Sequence, residues 1–405
     1  MAESPPSRSR RLLAPLERFF HVEAASGIVL LLVTAVALVW ANSQWTAAYD
    51  ALWHLPVSPG FGQATPGTVH FWINEGLMTV FFLLVGLEIR REMHEGALSS
   101  AKQAVVPIAA AIGGIMVPAL LYIAFASEEQ LVRGWAIPTA TDIAFAVGVL
   151  AVLGRRVPSA VRVLLLALAI IDDIAAILVI AFFYAAGFHP LGFMVAGAGV
   201  ATVLLFQRLG MRHALAYILP GAIIWLGLLY AGIHPTLSGV VLGLLTPVTL
   251  ARGEHEAPVE RVESALHPWV AYGVMPLFAL ANAGVRLEGF SFSDATASAL
   301  MYAIVLALFL GKPVGILAAV WLATKSGLGV LSPELNWRGV LLVGVLGGIG
   351  FTMSIFIANL AFSDGTLLAT AKLAVLVASL FAGLTGLLLG RFILFPHEPH
   401  ATVRR

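Results

Sequence analysis

Three aspartates and one lysine lie in stretches of the chain that are otherwise apolar. Asp172 and Asp173 sit in Ala167-Leu168-Ala169-Ile170-Ile171-Asp172-Asp173-Ile174-Ala175-Ala176-Ile177. Asp142 sits in Ala140-Thr141-Asp142-Ile143-Ala144-Phe145, and Lys312 in Leu310-Gly311-Lys312-Pro313. A charge at the centre of a membrane helix costs about 2.5–3.5 kcal/mol on insertion scales, so four cost roughly 10 kcal/mol when unpaired. Leucine would be cheaper at every one of these positions, so their reason is chemical. Adjacent helical residues point about 100° apart. Asp172 and Asp173 therefore cannot both face one small ligand head-on; one can bind while the other meets a second helix. Two neighbouring carboxylates in a low dielectric resist double ionisation and titrate as a pair. Lys312 calls for a carboxylate partner, and Asp172 or Asp173 is the natural one. The plain alternatives are a structural salt bridge and a lysine that stretches to the interface. Carboxylates, the Thr141 hydroxyl and freed backbone carbonyls form an all-oxygen site, which suits hard cations. The same carboxylates take protons, and a group that holds either one suffices for exchange.

These residues need elements that hold them at membrane depth. Pro138, Thr139 and Thr141 fall in mid-span beside Asp142, which predicts an interrupted helix whose freed backbone groups need side-chain partners. Gly347-Gly348-Ile349-Gly350 is a second weak point, because each glycine lowers helix propensity by about 1 kcal/mol; glycine-mediated helix packing is the alternative there. Two broken spans in one chain point to a transporter site near the midplane, an architecture of which the family named below is itself an example. Broken helices expose half-helix dipoles. Asp142 near N-terminal ends and Lys312 near C-terminal ends would compensate them.

Composition agrees. Of 405 residues 60% are hydrophobic and 11% charged, with a mean hydropathy of +0.94, against about 25% charged in soluble domains. A soluble enzyme, a disordered chain and a nucleic-acid binder are excluded. There is no cysteine, which removes thiolate metal sites, iron–sulfur clusters and disulfides. No GxxxxGK[ST] loop is present, so the energy source is an ion gradient and no cofactor is expected. The fold class is an all-α polytopic membrane protein. Spans of about 20 residues are expected at 25–42, 71–88, 103–126, 136–153, 159–184, 190–207, 214–229, 236–250, 266–284, 296–323, 339–361 and 367–390, twelve in all, with a turn at Tyr230–Pro235 between two short ones.

Alternating these spans from a cytoplasmic N-terminus puts 19 of the 23 Lys and Arg residues on one side and only Arg133, Arg286 and Lys372 on the other, with Lys312 inside a span. That is the asymmetry of the positive-inside rule, and both termini, 1–24 and 394–405, are then cytoplasmic. A cleaved signal peptide is the rival reading of the first span; the string of further spans favours an uncleaved helix in a single transmembrane domain over 25–393. Residues 43–70 form one long external loop, rich in Pro and Gly, that could carry a hairpin. Residues 251–265 form the longest charged internal loop.

At this point the residues resemble a known family, the bacterial NhaA-type sodium/proton antiporters, from about residue 12 to about residue 393. The resemblance rests on Phe81-Phe82-Leu83-Leu84-Val85-Gly86-Leu87-Glu88, Ala140-Thr141-Asp142-Ile143-Ala144-Phe145-Ala146, Ile171-Asp172-Asp173-Ile174-Ala175-Ala176-Ile177, His267-Pro268-Trp269-Val270-Ala271-Tyr272, Gly311-Lys312-Pro313 and Gly348-Ile349-Gly350-Phe351-Thr352-Met353-Ser354. It implies that Asp172 and Asp173 carry sodium or lithium and protons, and that Lys312 pairs with Asp172. Thr141 and Asp142 belong to the first interrupted helix; Gly347, Gly348, Gly350 and Thr352 belong to the second. Residues 103–184 and 296–390 are then inverted repeats whose interrupted helices cross near the midplane. The implied activity is electrogenic, alkaline-activated exchange of cytoplasmic sodium for external protons, serving sodium and pH homeostasis, by a homodimer in the bacterial inner membrane. A pH-responsive cluster would comprise Glu88, Arg91, Glu92, Glu263 and His267; read alone, Glu88, Arg91 and Glu92 are an i, i+3, i+4 set at a helix end. Ser264 stands where some members have His, at the pH-responsive end, and Glu75 where some have Asp.

Two rivals differ in class. A sodium-coupled symporter for an organic solute is the alternative function, disfavoured by the scarcity of buried polar groups. An intramembrane aspartyl protease would need its two aspartates, Asp142 and Asp173 here, in YD and GxGD settings, and neither lies in one.

Overall fold

The computed structural model describes residues 8–57, 67–95, 101–154, 157–185, 187–250, 256–288 and 294–394. Helices dominate them. Among the described residues no β-strand forms, and the one isolated antiparallel bridge joins Pro56 to Thr68. Eight helices are long and apolar enough to cross a bilayer, or eleven when each sharply bent pair counts as one span.

The expected boundaries shift in four places, each for a local reason. The first helix runs from Arg8 to Ala41, so residues 8–24 of the expected N-terminal segment are already helical. Within the 43–70 loop a second helix, Thr46–His54, turns away by 112°. Backbone bonds from Val57 to Gly67 and from Val69 to Leu55 close the ends of that loop; the tip, 58–66, lies outside the described residues. The expected span 236–250 is only the nine-residue helix Leu237–Leu245, about 14 Å long. Thr246 leaves it in an extended conformation and Pro247 follows, which prevents continuation. The internal loop 251–265 is shorter than expected because a helix already begins at Pro258. Proline is pre-organised for that first helical position, and the Glu260 carboxylate accepts from the Ala257 N–H at 3.3 Å. Residues 251–255, and the tail from 395 onward, lie outside the described residues.

One pattern occurs twice: a long helix, a broken helix, a long helix. The first unit is Ala101–Phe125, then Glu129–Val132 and Arg133–Thr139 broken from Ile143–Leu153, then Ser159–Phe183. The second is Ala295–Leu306 continuing through a π-helical turn into Lys312–Lys325, then Trp337–Gly347 broken from Phe351–Ala361, then Gly365–Leu394. Both broken pairs bend by 43°. The two units pack against each other where Gly113 of one long helix meets Gly315 of the other, so closely that a Cβ on either would strike backbone. Small residues allow this approach between helices in a bilayer. The remaining helices form a frame. Its key members are Val69–Phe71 running on through a π-helical turn into Met78–Glu95, and Pro258–Trp269 running on likewise into Met275–Asn282.

Candidate functional site

The two helix breaks are locked to each other through backbone and side chains. Ala140 and Asp142 are extended between the two halves of the first broken helix. The freed Asp142 N–H donates to the Ile349 carbonyl of the second break at 2.7 Å. The Asp142 carboxylate caps its own helix by accepting from the Phe145 N–H at 3.0 Å, and it accepts the Thr352 N–H at 3.1 Å and the Thr352 hydroxyl as well. Asp142 thus serves the positive ends of both half-helices, Ile143–Leu153 and Phe351–Ala361.

Opposite it, Lys312 reaches the carbonyl ends through a threonine. Its ammonium donates to Asp172 Oδ2 at 2.5 Å and to Thr141 Oγ1 at 3.0 Å. Thr141 Oγ1 lies 2.6 Å from Asp172 Oδ2 and 2.9 Å from the Gly347 carbonyl, so its one proton serves either acceptor. Both partners of the Lys312–Asp172 pair have wholly buried side chains. The pairing expected from sequence is present.

Asp173, on the same helix, has a different environment. It is 2% exposed, and its Oδ1 has no hydrogen-bond partner. Asp172 Oδ1 is likewise without one. Asp173 lines a cavity of about 50 Å³ together with Thr141, Asp142 and Thr352. The far wall of that cavity belongs to the frame and includes Phe81, Val85, Glu88, His267 and Met275. A water needs about 10–15 Å³ by this measure, so roughly three to five water-sized particles fit. This matches a small ion with part of its hydration, and a solute of many heavy atoms does not fit.

The expected pH cluster is brought together in part. Arg91 and Glu263 form an ion pair at 2.7 Å, with Glu263 buried and Arg91 half exposed. His267, Glu260 and Glu92 stand within electrostatic reach of Glu263. Glu88 and His267 line the cavity mouth. Ser264 points elsewhere, donating to the Arg261 carbonyl at 3.2 Å. Glu75 sits apart from all of these, 3.3 Å from the His234 ring. Sequence reasoning missed His234, which it read only as part of a turn. It also missed Asn74, Asn282 and Asn359, uncharged amides inside apolar runs.

A helical membrane protein with two helix breaks bonded to each other, and a buried acid pair of which Asp173 lines a small cavity, has the geometry of an ion transporter. Comparison with known proteins narrows the class. A sequence model of the family described as Na+/H+ antiporter 1 matches residues 17–389. The protein is 53% identical to Na(+)/H(+) antiporter NhaA 2 of Pseudomonas putida F1, over 94% of each chain. It is 52% identical to Na(+)/H(+) antiporter NhaA 2 of Sorangium cellulosum, over 96% of this chain and 92% of that one. To the Na(+)/H(+) antiporter NhaA of Bartonella tribocorum it is 49% identical, over 94% of each. The chain belongs to the Na+/H+ antiporter 1 family.

Proposed function

We propose that this protein is a transporter, not an enzyme, and exchanges sodium, or lithium, for protons across a bacterial inner membrane. The observation that carries the reading is Asp173: a buried carboxylate with an unpartnered oxygen, lining a cavity beside an acid already held by a lysine. An isolated carboxylate anion in such a place is costly. A proton or a small cation relieves it, and one displaces the other. The unpartnered Oδ1 atoms of Asp172 and Asp173, with the Thr141 hydroxyl, supply the all-oxygen surroundings a hard cation needs. An arriving cation also offers Asp172 a substitute for Lys312. The ammonium so released can lose its proton, so more protons than cations move per cycle and the exchange is electrogenic.

The two three-part units are inverted repeats that move together as the acid-bearing body against the frame, and with the short Leu237–Leu245 helix completing the count there are twelve membrane segments. The charge asymmetry of the loops sets both termini in the cytoplasm, so Glu88 and His267 mark the cytoplasmic mouth. The Arg91–Glu263 pair with Glu92 tunes the response to pH there, and the protein works as a homodimer. Symport of an organic solute is disfavoured by the size of the cavity.

The test is sodium-induced collapse of a ΔpH, read with a pH-sensitive dye in everted vesicles. Wild type responds and Asp173→Asn, though folded, does not. Undiminished exchange by Asp173→Asn removes the site assignment.

A further inference from the structure

Beyond Thr352 and Met275 of the cavity lining, two layers of side chains pack between the frame and the repeated units. The first is aromatic: Phe82 and Phe278 flank Phe356 with ring centroids 5.4 and 6.2 Å from it, and all three are buried. Beyond it lie three asparagines from three helices. Asn359 follows Thr352 by seven residues, Asn282 follows Met275 by seven, and Asn74 precedes Phe81 by seven. Seven residues are about two helical turns, or roughly 10 Å. Asn359 and Asn282 therefore lie on the helix face of a residue that lines the ion cavity, two turns farther out, and Asn74, set in the π-helical turn Trp72–Leu77, joins them through its hydrogen bonds.

The amides bind one another. Asn359 Nδ2 donates to Asn282 Oδ1 at 2.8 Å and approaches Asn74 Oδ1 at 3.4 Å, while Asn282 Nδ2 donates to Asn74 Oδ1 at 3.1 Å. Lys372 Nζ stands 3.4 Å from Asn282 Oδ1. Asn74 is itself fixed by donating to the His70 carbonyl at 2.8 Å. Asn74 and Asn282 belong to the frame; Asn359 and Lys372 belong to the acid-bearing body. Every bond made by Asn359 or Lys372 to the other two thus crosses the boundary along which the two bodies would slide. Asn359 Oδ1, moreover, is buried with no partner, an acceptor oxygen in excess of what the closed cluster uses.

We propose that Asn74, Asn282 and Asn359, with Lys372, are the outer gate of the transport path. They hold the two bodies together while the cavity opens to the cytoplasm, and they part when the cation leaves outward. Neutral amides suit this task better than leucine or aspartate. Their oxygens replace part of a cation's hydration as it passes, without a charge that would trap it, and a path must bind weakly enough to release. In the closed state the Lys372 ammonium stands at Asn282 Oδ1 and keeps cations off that oxygen. The inference rests on the antiport reading and on the orientation proposed with it.

The native chain has no cysteine, so wild type is a ready background. In proteoliposomes, Asn282→Cys/Asn359→Cys is joined with a short, reducible bis-methanethiosulfonate reagent, whose reach suits side chains one hydrogen bond apart. Sodium-driven proton movement is expected to fall to background when the bridge forms and to return on reduction. Undiminished exchange by the bridged protein overturns the gate. Should that variant lack exchange even when reduced, Asn359→Cys alone decides. Its labelling by an impermeant thiol reagent from outside is expected to rise several-fold when an inward-directed proton gradient and internal sodium drive turnover, and labelling that does not change overturns the gate. Wild-type vesicles run alongside separate the two readings: no exchange by wild type removes the antiport reading and the gate with it, whereas exchange by both wild type and the bridged variant removes the gate alone.

Discussion

Replacing either partner of the Asp172–Lys312 pair leaves the other buried without the hydrogen-bonded counter-charge it has in wild type. Both side chains are fully buried. In Asp172→Asn the ammonium keeps Thr141 Oγ1 at 3.0 Å as a polar neighbour, an oxygen without charge. In Lys312→Met the carboxylate keeps the Thr141 hydroxyl at 2.6 Å. Breaking a buried pair from one side costs about 3–5 kcal/mol, whereas replacing both partners by neutral groups of similar size is often close to neutral. The double variant Asp172→Asn/Lys312→Met is thus expected to be more stable than either single one, with a coupling of at least about 3 kcal/mol between the positions. Reversible unfolding by SDS in mixed micelles supplies the four free energies. The pH dependence adds a sign. The carboxylate stranded in Lys312→Met is relieved by taking a proton, so that loss grows as pH rises. The ammonium stranded in Asp172→Asn is relieved by giving one up, so that loss shrinks as pH rises. Additive losses, or two losses with the same pH trend, refute the pairing as the source of stability.

Three other outcomes are expected. Sodium at about 100 times its dissociation constant stabilises wild type by roughly 2.7 kcal/mol if it binds the folded state alone, and a melting curve of Asp173→Asn shows no such protection; equal protection in both places the cation elsewhere. Thr141→Val keeps the shape but removes the hydroxyl that serves Asp172, Gly347 and Lys312, so the protein loses about 1–3 kcal/mol on SDS unfolding, and no loss dissociates that hydroxyl from the site's cohesion. Arg91→Ala takes from the buried Glu263 its ion partner at 2.7 Å; a buried carboxylate so stranded is relieved by a proton, so the pH profile of exchange in everted vesicles moves and the loss of stability grows as pH rises, and an unmoved profile makes the cluster a solvated cap.

What the sequence revealed followed the size of the energetic penalty. Buried charges cost most, and Asp142, Asp172, Asp173 and Lys312 were legible on that ground before any helix was placed. Proline and closely spaced glycines disrupt helices strongly, and both breaks, at Pro138–Thr141 and at Gly347–Gly350, are present. Weak signals stayed hidden. The helix from Pro258 to Trp269 begins with Glu260, Arg261 and Glu263, so hydropathy read its first turns as loop although their apolar face packs. An amide in a span costs far less than a charge, and Asn74, Asn282 and Asn359 raised no alarm. Lys372 was counted as a charge at the outer edge because it lies near a helix end, and only the neighbouring helices bring Asn282 to it.

The proposed motion of the repeated units against the frame accounts for the way charge is distributed. Asp142, Asp172, Asp173, Lys312, Thr141 and Thr352 all belong to the repeated units, and the frame contributes Phe81, Val85, Met275 and, at the mouth, Glu88 and His267. A body that must carry an ion past a stationary wall needs its ligands on itself and a wall that does not compete for the cargo. If the ligands were split between the bodies, each cycle would have to break cation–oxygen bonds in a low dielectric, where such bonds are strongest. With all of them on one body, the proposed motion breaks apolar contacts, the amide bonds among the asparagines and the long Lys372–Asn282 contact. The carboxylate that the frame contributes to the cavity lining is Glu88, and on the proposed reading it gathers a cation before Asp173 takes it.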